Sequence, residues 1–447
     1  MELILSNEQE FAFNKYIEKK NIFITGPGGS GKTQLIRHIY QHGIHRGKKI
    51  KVCALTGCAA VLLECNAKTI HSWSGVGLAN TSVDSIIRKI KGNRHSKAEW
   101  LETNILIIDE VSMMSLKLFD ILDAVGRAIR QNYNEPFGGI QLIFSGDFYQ
   151  LPPVGQIEEL DTMRFCFESV DWFNVFSMDC HIQLVKIFRQ NDDIYIGMLN
   201  QIRKGCIKRK TVEILMRYVG REPSVDMVIT QIYPKKSRVE YINSMKMDEL
   251  VGEEKEYNMR FICPEVGTLD KHKMSQELNY MKSNIMCNSN LKLKVGSQVM
   301  CVINISSSDM DSVVVDNEPL MLCNGSQGKV EKFDKSSGLP IVKFDNGINM
   351  KMDYHVWNSE NIIGIGVSQI PLILSWAITI HKAQGASLLN AKIDIGRCIF
   401  EAGQTYVALS RVKSLDGLYL TSFDVSKIMI NRKVREFYEL LDNSSIV

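Results

Sequence analysis

The chain has 447 residues, of which 45% are hydrophobic and 23% charged, and Lys+Arg 53 against Asp+Glu 50 leaves a formal charge of +3. This composition excludes a mainly disordered chain, and Gly 31 with Pro 10 excludes a collagen-like or low-complexity one. At about 100–200 residues per domain the length implies several cores, and the near-balanced charge means that any nucleic-acid surface must be a local patch.

The N-terminal MELILSNEQEFAF carries acids at once, unlike a secretory signal or an Arg-rich transit peptide. No stretch approaches the roughly 18 apolar residues of a membrane span, so no membrane partner is expected. The 11 Cys are scattered singly without a Cys-x-x-Cys pair, which argues against a zinc ribbon or thioredoxin-like site and for a reducing, intracellular compartment. Cys53, Cys58 and Cys65 read as small buried apolar side chains.

Four short apolar runs, NIFIT (21–25), KVCAL (51–55), NILIID (104–109) and QLIFS (141–145), read as strands. Continuous apolar runs separated by helical patterns predict a parallel sheet covered on both faces, hence a doubly wound α/β domain. GPGGSGKT follows the first strand and precedes the helical pattern QLIRHIY. In that setting Gly26, Pro27, Gly28, Gly29, Ser30, Gly31, Lys32 and Thr33 form a P-loop. Its backbone N–H groups wrap a phosphate chain, Lys32 reaches the outer phosphates and Thr33 reaches Mg²⁺. The third strand ends in adjacent carboxylates, Asp109 and Glu110, which suit Mg²⁺ holding and activation of the attacking water. After the fourth strand, Gln150 is placed to sense a γ-phosphate, while Phe148 and Tyr149 are read as core rather than nucleic-acid contacts.

Between these elements a basic excursion at about 75–100 carries Arg88, Lys89, Lys91, Arg94 and Lys97, as either a small insertion or a solvated surface. A second α/β unit is expected over 187–290 and 364–447, the first covering 1–186. It is interrupted over 291–363 by β-like segments, with a hairpin signal at Asp345-Asn346-Gly347 and an acidic loop at 309–318. That interruption predicts an inserted small β-barrel. Arg189 in IFRQ and Arg411 in YVALSR are candidates to close the nucleotide site as arginine fingers.

The ordered set LSNEQ, GPGGSGKT, ALTGCAA, TIHSWSGVG, IIDEVSMM, GDFYQLPPV, IFRQNDD, WAITIHKAQG and YVALSR resembles the Pif-type (petite integration frequency) DNA helicases of the RecD-like branch of superfamily one. The resemblance implies two RecA-like P-loop domains with an SH3-like barrel in the second. It implies an ATP- and Mg²⁺-dependent motor moving five-prime to three-prime on single-stranded DNA, opening forked or tailed duplexes in replication, repair or recombination. It leaves RNA–DNA hybrids and quadruplexes open as substrates and suggests a monomer. By resemblance, Gln9 reads adenine, Gly385 lies in a nucleotide-side turn, and Gln150, Arg189 and Arg411 contact the γ-phosphate. Thr56, His71, Thr379 and His381 match DNA-contacting segments. Lys382 adds a basic grip, and Trp73, where the family usually has Phe, joins His71 as a stacking platform. Two rival readings share the motor motifs: a translocase that does not separate strands, and a nucleic-acid-binding module switched by ATP.

Overall fold

The computed structural model describes residues 5–444 apart from 57–58, 61–62, 64, 78–80, 225–228, 264–270, 304, 306–313, 316–317, 320–321, 323–324, 360–361 and 363. Cys58 and most of the acidic stretch 309–318 therefore lie outside the described residues. The chain divides into two compact units, Met1–Arg221 with Ile395–Val447, and Glu222–Asp394.

The first unit opens with helix α1 (Asn7–Ile17), strand β1 (Ile22–Thr25) and helix α2 (Lys32–His45), followed by β2 (Ile50–Ala54), β3 (Lys68–Thr69), β4 (Ile105–Asp109), β5 (Gln141–Gly146) and β6 (His181–Gln183). The strands form one sheet in the order β3-β2-β4-β5-β1-β6, with every pairing parallel. Successive side chains on a strand face opposite ways, and both faces are buried. Ile22, Ile24, Val52, Ile107 and Ile143 pack with Ala12, Leu35, Ile36 and Ile39 from α1 and α2. Phe23, Cys53, Leu106, Ile108, Leu142 and Phe144 pack on the other side with Phe119, Trp172 and Phe437. Continuous apolar strands are what a sheet covered on both faces requires. Phe148 and Tyr149 belong to the second of these cores, at 1% and 8% exposure, as expected.

The basic excursion forms two helices, Val83–Gly92 and Arg94–Glu102. Ile86, Ile90 and Trp100 anchor them in the core, while Arg88, Lys89, Lys91, Arg94 and Lys97 are exposed.

Residues 187–221 and 395–447, expected with the second α/β unit, cluster with the first. The physical ties are side chains far apart in sequence. Arg203 pairs with Asp147 and Tyr438 shares a hydrogen bond with Thr25, while Tyr195, donating to Leu409 O, joins the two segments to each other.

The second unit contains parallel strands Ala377–Thr379, Thr230–Tyr233 and Ala391–Ile395, in that spatial order. Its β-rich part holds a five-stranded antiparallel sheet: Asn349–Lys351, Pro340–Phe344, Gln327–Phe333, Gln298–Cys301 and Leu372–Leu374. The Asp345-Asn346-Gly347 turn joins two of these strands, with Gly347 at φ +86° and Gly347 N–H donating to Phe344 O at 3.0 Å. Further short strands at Lys255–Asn258 and Arg260–Ile262 pair in this part, upstream of the expected 291–363. Among the described residues, no helix is long and apolar enough to cross a membrane.

Candidate functional site

In the first unit the polar residues gather at the C-terminal ends of β1, β4 and β5, where open parallel sheets place their ligands. The P-loop Gly26–Thr33 leaves β1 and enters α2. It needs left-handed backbone at Gly29 (φ +86°) and Gly31 (φ +83°), which glycine adopts without strain. The Ser30 hydroxyl is buried inside the loop without a protein partner. Lys32 Nζ donates to Gly26 O at 2.7 Å and Pro27 O at 3.1 Å. Burial pushes the Lys32 ammonium below its ordinary pKa, and Asp147, Glu110 and Asp109 pull it back.

Asp109 is the last residue of β4 and 7% exposed. Burial raises its pKa, opposed by the Ser145 hydroxyl, the Glu110 N–H and Lys32. Glu110 follows in the left-handed region at φ 56°. A non-glycine residue there is strained, and such strain concentrates at functional sites. Gln150 is 5% exposed, its N–H donating to Asp147 O at 2.8 Å. Gln9 is 4% exposed and doubly held: its Oε1 accepts from Ser6 N–H at 2.9 Å, and its Nε2 donates to Gly31 O at 3.3 Å. One N–H and one lone pair of that amide are left for a base.

Arg189 and Arg411 converge on Gly28. A Cβ on Gly28 would stand 3.7 Å from Arg189 Nη1 and 3.6 Å from Arg411 Nη2. Arg411 is 1% exposed, donating from Nε to Val407 O at 2.8 Å and from Nη2 to Ser410 Oγ at 2.7 Å. Burial, and then the charge of Arg189, lower its pKa to about 9, which still leaves it charged at neutral pH. Burial also lowers the pKa of Arg189. Two guanidinium groups this close to a P-loop favour an anion between them.

Asp109 and Thr33 offer hard oxygen donors, the set Mg²⁺ takes together with phosphate oxygens and water. Among the described residues, no group of three or more His, Cys, Asp or Glu could hold a metal alone. Bound at Asp109 and Thr33, Mg²⁺ would neutralise charge developing on the phosphates.

Four features of this site escaped the sequence reading. Tyr406 OH accepts the Gly28 N–H at 2.8 Å. Phe188, 48% exposed, presents a ring 3.3 Å from where a Cβ on Gly31 would stand, a surface on which a base can stack. Gln190 is buried beside Gly29. Arg203 grips Asp147 through a fork with distances of 2.9 Å and 2.8 Å. Tyr406 and Gln190 do lie inside the quoted segments YVALSR and IFRQ, whose polar and aromatic residues were the available signal.

The expected DNA residues divide. Thr69 and Thr379 each end a strand and cap a short helix, Ile70–Ser74 in one unit and Ile380–Ala383 in the other. Each helix opens with a buried Ile followed by a half-buried His: Ile70-His71 and Ile380-His381. The Thr-Ile-His turn is thus repeated, a likeness of local sequence and structure between the two units. Burial lowers the pKa of both histidines. Lys382 is exposed, with Nζ 3.4 Å from Met286 O. Thr56 is half-buried, its hydroxyl accepting from Ala59 N–H at 3.2 Å. Gly385, at φ +80°, follows the second turn. Trp73 is a correction: it is 2% exposed, packed against Trp100 with ring centroids 4.5 Å apart, and cannot stack on a base. Its position on the short helix Ile70–Ser74 turns the indole into the core while His71 stays half-buried.

Comparisons with known proteins agree in kind. The family model described as PIF1-like helicase matches residues 4–213. The chain is 32% identical to the ATP-dependent DNA helicase RRM3 of Saccharomyces cerevisiae, over 98% of this chain and 68% of that protein. It spans 68% of the length of that relative and 57% of the length of the ATP-dependent DNA helicase PIF1 of Candida albicans. The Pif1 helicase from Candida albicans superposes with a TM-score of 0.80 at 35% identity, covering 98% of this chain and 100% of that one. A Bacteroides Pif1 bound to single-stranded DNA superposes with a TM-score of 0.68 at 28% identity, covering 99% and 98%.

Proposed function

The chain belongs to the PIF1-like helicase family, and from that premise we propose that it is an ATP-hydrolysing DNA helicase. It moves on single-stranded DNA, five-prime to three-prime, and opens forked or tailed duplexes in replication, repair or recombination. The observation that carries the reading is the convergence of Arg189 and Arg411 on Gly28 of the P-loop. A phosphate-binding loop alone serves many enzymes, whereas two arginines over the same loop serve hydrolysis of the outermost phosphate.

In this reading Gln9 and Phe188 hold the base, and Lys32 and the loop N–H groups hold the phosphates. Thr33 and Asp109 hold Mg²⁺. Glu110 takes the proton of the attacking water while Gln150 senses the γ-phosphate. Arg189 and Arg411 stabilise the charge that develops as the bond breaks. Thr56, His71, Thr379, His381 and Lys382 contact the DNA strand, and Gly385 shapes a turn on the nucleotide side. That a related Bacteroides Pif1 binds single-stranded DNA supports the choice of partner. The parallel strands of the two units support two RecA-like motor domains, and the antiparallel strands between Lys255 and Leu374 support an inserted SH3-like barrel. The helices over 83–102 would then be the basic insertion of the first domain. Action as a monomer in an intracellular compartment completes the proposal.

The test is ATP hydrolysis with and without single-stranded DNA, followed by unwinding of duplexes tailed at either end. Hydrolysis that DNA does not stimulate would remove the motor. Stimulated hydrolysis without unwinding would leave the non-separating translocase.

A further inference from the structure

The segment Phe188–Gln190 lies between the P-loop and the turn that carries Arg411. Phe188 N–H donates to Gly29 O at 2.8 Å, and the Arg189 side chain lies so close that a Cβ on Gly29 would overlap it. Gln190 is 3% exposed, and its Nε2 donates to Ser410 O and to Val412 O, each at 3.3 Å. These are the carbonyls on either side of Arg411. Arg189 Nη1 reaches the same Ser410 O at 3.4 Å.

Two carbonyl partners decide which end of the amide is nitrogen, because a flipped amide would set oxygen against oxygen. The Oε1 of Gln190 must then face the other way. It is buried there without a protein partner, 3.4 Å from where a Cβ on Gly29 would stand. A buried acceptor with no donor calls for a reason. It cannot hold a phosphate oxygen, which is itself an acceptor. It can accept from a donor such as a water molecule beside the loop.

We propose that Gln190 is the positioning residue for Arg411, gripping both carbonyls that flank it and so setting the guanidinium over Gly28. The inference rests on the reading of Arg411 as a γ-phosphate contact. Gln190 acts through the backbone of 410–412, and Phe188 ties the same short segment to the P-loop. Displacement of a catalytic group by about 1 Å can cost about 10²-fold in rate.

The experiment is a double-mutant cycle on the full chain, read as kcat and KM for ATP with saturating single-stranded DNA, with thermal melts as a check on folding. Gln190→Ala should lower kcat about 10²-fold with KM little changed. In an Arg411→Ala background it should add almost nothing, because the residue it positions is gone. Gln190→Glu is nearly isosteric but sets oxygens against both carbonyls, so it should lose at least as much kcat as Gln190→Ala. Independent, multiplying losses in the cycle would overturn the inference, as would wild-type kcat in a folded Gln190→Glu variant. Wild-type kcat in Arg411→Ala would overturn the reading of the site itself, and this inference with it.

Discussion

Replacing Arg203 by Met should cost far more than the loss of a surface ion pair. Arg203 lies on the helix Asp193–Lys204 and forks onto Asp147, whose side chain is 0% exposed, while its own is 7% exposed. Its guanidinium also lies 4.6 Å from the Tyr149 ring centroid and 5.3 Å from that of Tyr438. Burial opposes the charge on Arg203, but the ion pair and hydrogen bonds to Asp147 outweigh it and raise its pKa. Met fills much of the space but leaves the Asp147 carboxylate buried, with the Tyr149 N–H at 3.2 Å and the Tyr438 OH at 3.4 Å as hydrogen-bond donors and the Lys32 charge as its remaining electrostatic partner. Removing one partner of a buried pair costs about 3–5 kcal/mol, against a total stability of roughly 5–15 kcal/mol. Denaturant unfolding of the full chain measures the loss. The companion variant Asp147→Asn with Arg203→Met removes the stranded charge, so it should be more stable than Arg203→Met alone. If the double variant is no more stable, or Arg203→Met costs under about 1 kcal/mol, a solvated pair would describe Asp147 better than a buried one.

Glu110→Gln should keep nucleotide binding and slow turnover about 10²–10⁴-fold, the size of a general-base contribution; unchanged turnover at saturating ATP and DNA would leave Glu110 a structural acid. His381→Ala or Lys382→Ala should reduce DNA-stimulated hydrolysis more than basal hydrolysis, and equal losses would move these residues to the nucleotide. Trp73→Ala should destabilise by about 3–5 kcal/mol through a core cavity, whereas Trp73→Phe should leave single-strand affinity unchanged; a roughly tenfold loss of affinity, about 1.4 kcal/mol, would return Trp73 to the DNA face. Asp179 lies at about pKa 2, held down first by its hydrogen bond from Lys15. Because that pKa is depressed on folding, the contribution is present above about pH 4 and lost as pH falls through about 2. With a side chain 62% exposed, Asp179→Asn should therefore cost only about 0.2–1 kcal/mol at pH 7 and nothing below pH 2. A cost independent of pH would point to something other than the ion pair.

The nucleotide-binding core was legible because local chemistry and local structure coincide there. β1, β2, β4 and β5 fall within a residue of the runs read as strands, since short apolar segments bounded by Gly, Thr or Asp leave few alternatives. β3 and β6, of two and three residues, carry too little pattern to be read. The Asp345-Asn346-Gly347 turn was legible from its residues alone, because left-handed backbone favours them. The clustering of 187–221 and 395–447 with the first unit was not. It depends on pairs such as Tyr406 with Gly28 and Tyr438 with Thr25, separated by 378 and 413 residues, which leave no local periodicity. Trp73 misled for a related reason. An aromatic two residues after His71 on a five-residue helix can face either way, and only Trp100, distant in sequence, decides that it faces inward. Gln190 shows the same limit at the site, because an orphaned acceptor exists only once its neighbours are in place.

Strand separation powered by the P-loop unit is the proposal to be tested. Its most direct measurement is ATP-dependent unwinding of a labelled duplex with a five-prime tail, by the wild-type chain and by Lys32→Ala. Strand release should require ATP with the wild type, be small from a duplex tailed only at its three-prime end, and be absent with a folded Lys32→Ala variant. Equal release by Lys32→Ala, or robust DNA-stimulated hydrolysis by the wild type with no release from either duplex, would contradict it.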